Sequence, residues 1–142
     1  MDETAYRLAL KAAIPRNCPF EKTILTHCAA CSEAVKHNIA EREIVSCSSA
    51  SAHERCNRLL ELLRHNFVFA LGKLHIDGPL PHAQEMRMQC GGMRSIQFLL
   101  DGNDEVQDVS ELLGQAEERY GELAELPFSE IVQKANGLYK AR

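Results

Sequence analysis

A chain of 142 residues with 45% apolar and 25% charged residues has the size and composition of a single globular domain able to bury its own core. Its 16 basic and 20 acidic side chains leave a formal charge of −4, which argues against long-range attraction to nucleic acid or an anionic membrane. No stretch approaches the roughly eighteen uninterrupted apolar residues of a membrane span. The opening "MDETAYRLALKAAIPR" also lacks the basic and apolar regions of a signal peptide, so the expected compartment is the cytoplasm.

In chain order the pattern reads as helical almost throughout. Residues 3–14 place Ala5, Leu8, Ala9 and Ala12 on one side of a short helix that Pro15 should stop. "RNCPF" is a turn, because Pro19 disfavours helix at Cys18. From Phe20 to Ile44 a helical pattern breaks near "THCAACSEA", then puts Ala30, Ala34, Val35 and Ile39 on a shared face. "REIVSC" is the one short stretch that competes as a strand, and Ile44-Val45 alone cannot support a sheet. The clearest helix runs over 51–73. Ser51 and Glu54 match a capping box, and Cys56, Leu59, Leu60, Leu63, Phe67, Ala70 and Leu71 form its apolar stripe. This helix should be the central, most buried element.

"HIDGPLP" is a loop. Pro81 then suits the first turn of a short helix, "PHAQEMRMQ", which Gly91 and Gly92 should end or kink. "MRSIQFLL" resumes the helix, "DGND" is a loop, and two helices follow over about 105–124 and 128–141, the last opened by Pro127. The fold class expected is all-α: a compact single-domain bundle of five to seven helices spanning 1–142. It divides into a cysteine-rich part, 18–93, and an acidic helical part, 104–142. Residues 104–126 carry eight acids against one base, Arg119. That is either a solvated face or a docking surface for a basic partner.

Six cysteines, Cys18, Cys28, Cys31, Cys47, Cys56 and Cys90, are the chemical signal. Five lie between residues 18 and 56, and none after 90. In a reducing compartment they read as thiols, ligands or catalytic groups rather than disulfides. Cys28-x2-Cys31 is the usual first half of a thiolate site. Cys47 follows Cys31 by sixteen residues and Cys56 lies nine further on. Loops of that length close at low entropic cost. Cys28, Cys31 and Cys47 are therefore the expected common ligands, with Cys56 or Cys90 as the fourth. Cys18, beside a proline, would have to displace one of them.

No second C-x2-C knuckle exists, and His37 and His53 stand at no recurrent ligand spacing, which favours an iron–sulfur cluster, [4Fe–4S] in type, over structural zinc. Gly91 and Gly92 after Cys90 leave backbone able to approach such a cluster. The function this predicts is a small cytoplasmic iron–sulfur protein that carries electrons or senses redox state rather than catalysing a reaction. Its redox partner protein would dock on the acidic helix 104–126. Two alternatives remain: an interaction module stapled by zinc, and a C-x-x-C thiol redox protein in which His27 and a helix dipole activate Cys28.

Other constellations are weaker. His82, Met86, Cys90 and Met93 fall nominally on one helical face and would suit Cu(I), but the methionines read more simply as core fillers. Arg55, Arg58 and Arg64 line the polar side of the long helix, which would place DNA contacts there. Without interleaved aromatics, and with an acidic net charge, nucleic-acid binding is not expected.

Overall fold

The computed structural model describes residues 3–14 and 16–140. Pro15, expected to stop the first helix, and the end of the last helix at residue 141 lie outside them. So does the side chain of Ala12.

Most of the chain is helical. The elements are α1 (Glu3–Ala13), α2 (Glu21–Leu25), β1 (Ala34–Ile39), β2 (Arg42–Cys47), α3 (Ala50–Phe67), α4 (His82–Met86), a π turn (Arg87–Gly91), α5 (Gly92–Asp101), α6 (Val109–Tyr120), a 3-10 turn (Leu123–Glu125) and α7 (Phe128–Lys140). The helices follow the apolar periodicity of the sequence. α3 turns Leu59, Leu63 and Phe67 wholly inward, where they meet Met88, Met93, Ile96, Leu112, Leu113 and Ile131 from the later helices.

The all-α expectation fails over 34–47, where the chain forms an antiparallel hairpin with Ala34 opposite Cys47 and Ile39 opposite Arg42. Ala40 and Glu41 make its two-residue turn with positive φ at both positions, 53° and 66°. That is the turn whose twist suits a hairpin, built here without the usual Asn-Gly. A lone hairpin is marginal in water; this one is covered on both faces. Neighbouring strand residues point to opposite sides, so Val45, 0% exposed, enters the main core. Ile44, 5% exposed, enters a second cluster with Tyr6, Ile14 and Ile39. The two apolar residues that seemed too few are enough because each serves a different core.

Two further differences concern helix ends. The N-cap of α3 is Ser49, not Ser51: its side chain accepts the Ala52 amide at 3.1 Å. Gly91 and Gly92 do not end the helix. They carry it through the π turn into α5, with Gly91 against the backbone of Ala135 in α7 and Gly92 against Leu63 in α3. Among the described residues, no helix is long and apolar enough to cross a membrane.

Candidate functional site

Four cysteines meet in one enclosed, almost wholly apolar cavity of about 20 Å³. Cys18, Cys31, Cys47 and Cys56 line it together with Phe20, Ile24, Ala52 and Val109. All four are free thiols. Each arrives on a different segment, and those carrying Cys18, Cys31 and Cys47 are fixed by long-range backbone hydrogen bonds.

Residues 16–18 run beside the end of β2. Cys18 donates its amide to Val45 at 2.8 Å, and Cys47 donates to Arg16 at 2.9 Å, so pairing of this third, short extended segment sets Cys18 near Cys47. The loop carrying Cys31 is pinned to the start of α6. Ala30 donates to Val106 at 3.1 Å, Val109 donates to Ala30 at 2.9 Å, and the Ser32 amide donates to the Asp108 carboxylate at 3.0 Å. Asp108 also caps α6 by accepting the Ser110 amide at 3.1 Å. Cys56 projects from the second turn of α3, the helix that begins shortly after Cys47.

Burial dominates the electrostatics of the thiols. Burial pushes the Cys18 and Cys56 thiols up to about 12 and raises Cys31 as well, since a bare thiolate is poorly solvated there. Against that, amide N–H groups aim at sulfur: Phe20 at Cys18, and Glu33 and Ser110 at Cys31. The first turns of two long helices, α3 at Ala52 and α6 at Val109 and Ser110, border the same cavity, and the positive ends of their dipoles favour negative charge. Thiols in such a place stay protonated until a cation compensates them.

Among the described residues, no three His, Cys, Asp or Glu side chains stand ready as a metal-holding group. The thiols occupy other orientations: Cys47 donates its S–H to the Ser49 carbonyl at 3.2 Å. The donor set is all sulfur, which suits zinc or iron–sulfur clusters.

The sequence-derived ligands are divided by the fold. Cys31, Cys47 and Cys56 reach this cavity, joined by Cys18. Cys28 and Cys90 form a disulfide elsewhere, with Cα atoms 6.0 Å apart, packed with Met86 and Tyr139. Cys28 and Cys31 separate for a local reason. His27, at φ 61°, closes α2 with a left-handed cap in which Cys28 donates to Thr23 at 3.0 Å and His27 donates to Ile24 at 3.1 Å. The chain then runs extended, with Ala29 bridged to Val106, and residues three apart on extended chain face opposite sides. A C-x2-C clip needs a turn between its sulfurs; this pair has the turn before them.

Gly91 and Gly92 do not line the four-thiol cavity. Of the nominal Cu(I) group, Met93 is buried in the main core, while His82, Met86 and Cys90 border a second cavity with Cys28. Arg55, Arg58 and Arg64 face Glu117, Glu61 and Glu85 at 3.4, 3.8 and 3.5 Å. Cys18 carried one signal in the sequence, its place before a proline at the entry to α2.

Neither a protein-family model, nor a curated protein, nor a solved structure matches this chain.

Proposed function

We propose that Cys18, Cys31, Cys47 and Cys56 hold an iron–sulfur cluster of the [4Fe–4S] type, and that the protein carries or senses electrons for a partner. One observation carries this reading: four free thiols from four separate segments line a single enclosed apolar cavity. Two features favour a cluster over zinc. The spacing contains no repeated knuckle. Amide groups point at two of the sulfurs. A zinc tetrathiolate brings its sulfurs to about 3.8 Å of each other, given Zn–S bonds of about 2.3 Å, whereas a cubane gives each sulfur its own iron.

Bound there, the cluster would supply one-electron transfer at a potential set by burial and by hydrogen bonds to sulfur. The chain's own part is to exclude water with Phe20, Ile24 and Val109, to offset charge with the α3 and α6 termini, and to present a docking face. α6 borders the cavity at its first turn and carries the exposed Glu111 and Glu118 one above the other, seven residues apart, a face suited to a basic partner. Structural zinc is the second reading, and the cavity volume of about 20 Å³ is the observation in its favour, since that void matches one ion more closely than a cube.

Anaerobic purification with iron, sulfide and zinc analysis tests both. The expected protein is brown, with about four irons and four acid-labile sulfides per chain. A colourless protein with one zinc per chain overturns the cluster. Cys31→Ser should abolish metal retention, whereas Cys28→Ser should retain it; the reverse pattern overturns the ligand set.

A further inference from the structure

The second cavity, about 400 Å³, opens beside the turn after α2, the α4–π–α5 helix and α7. Its wall contains the Cys28–Cys90 disulfide beside His82, Met86, Arg94 and Tyr139. We propose that Cys28–Cys90 is a redox-active disulfide, a thiol–disulfide exchange site that receives a thiol-bearing partner through this cavity. The proposal is independent of what the other four thiols hold.

Position is the first argument. A disulfide that only braces a fold needs no approach, yet this one borders a cavity in the size range that admits small ligands. The second argument is the unequal setting of the two sulfurs. Cys90 lies in the π turn and is 1% exposed, in a helix held by the close approach of Gly91 to α7. Cys28 lies in the turn after α2 and is 8% exposed. An incoming thiolate therefore meets Cys28, and Cys90 is the leaving group. Third, Arg94, which donates to the Leu138 carbonyl at 3.3 Å, adds a positive charge to the wall of the same cavity; positive charge in that wall favours the thiolate form of a departing sulfur. A π turn is also a frequent mark of a functional position within a helix.

The exchange balances. The partner's thiolate bonds to Cys28 Sγ, the Cys28–Cys90 bond breaks, and Cys90 leaves as a thiolate that takes up a proton. A second thiol of the partner then attacks the mixed disulfide, and Cys28 departs and is protonated. One dithiol has become a disulfide, and the protein's disulfide has become two thiols, with the partner's two protons transferred. The other four thiols line a separate cavity with no residue in common with this one.

The test takes the full chain, purified without reductant, through buffers of graded reduced-to-oxidised glutathione. Samples are acid-quenched, alkylated and peptide-mapped, with circular dichroism recorded in parallel. Cys28 and Cys90 are expected to interconvert reversibly between disulfide and dithiol while the fold persists. In Cys90→Ser, glutathione should accumulate on Cys28 roughly tenfold more than it does on Cys90 in Cys28→Ser. A pair that opens only when denaturant unfolds the chain, or that remains two thiols across the whole series, overturns the proposal. The wild-type interconversion decides the matter even where a variant fails to fold.

Discussion

A Cβ added at Gly91 would overlap the carbonyl of Ala135, which belongs to the backbone of α7 and cannot rotate aside. At Gly92 the nearest atom is Leu63 Cδ2 at 3.0 Å, the end of a side chain that can turn. Gly91→Ala should therefore lower stability by about 2 kcal/mol, in the range of core overpacking, and Gly92→Ala by clearly less; paired chemical denaturation curves check the order. The doublet was legible as a place of close backbone approach, but not what approaches it. The same limit applies to the cysteines. Cys31, Cys47 and Cys56 were read as partners and do share a cavity, while Cys28 and Cys18 exchange places. Spacing of three suggests a clip only if the chain turns between the sulfurs. Here the left-handed residue is His27, ahead of them, and extended chain sends Cys28 and Cys31 to opposite sides.

Among the elements, α3 was the easiest to read, since apolar residues at helical spacing admit few alternatives, although it ends at Phe67 and leaves Ala70 and Leu71 in the following turn rather than running to 73. Its start was placed two residues late because "SSAS" offers several hydroxyls, and only the folded chain shows which one meets an orphan amide. Ser49→Ala should cost about 1 kcal/mol. Ser51→Ala, where the side chain meets only the Ser49 hydroxyl at 3.2 Å, should be close to neutral. Thermal unfolding of the two variants separates them, and a larger loss at Ser51 would restore the capping box. The hairpin was missed for two physical reasons. Its turn carries Ala40-Glu41 in place of residues that favour positive φ. Its buried pair, Ile44 and Val45, breaks the alternation expected of a strand with one wet face, because both faces are covered.

At the scale of the whole molecule, Asp108 ties the Cys31 loop to α6. Burial by itself would raise its carboxyl, but hydrogen bonds from Ser32, Ser110 and Glu111 outweigh that and hold it below the ordinary carboxylate range. A carboxyl depressed in the folded state contributes stability above its unfolded value and loses it as pH falls through the folded one. The difference in melting temperature between wild type and Asp108→Ala should thus be largest near neutral pH and shrink below about pH 4. A gap that holds constant into acid would mean the tie does not depend on charge. The sequence by itself determined the helices outside 20–47, though not all their ends, the loops at "HIDGPLP" and "DGND", and the concentration of sulfur in the first half of the chain, since apolar period, turn residues and composition are local properties. Which sulfurs meet was decided only by tertiary structure. The pairing of 16–18 with β2 and of Ala30 with Val106 and Val109 joins segments far apart in the chain, and no spacing between cysteines encodes those contacts.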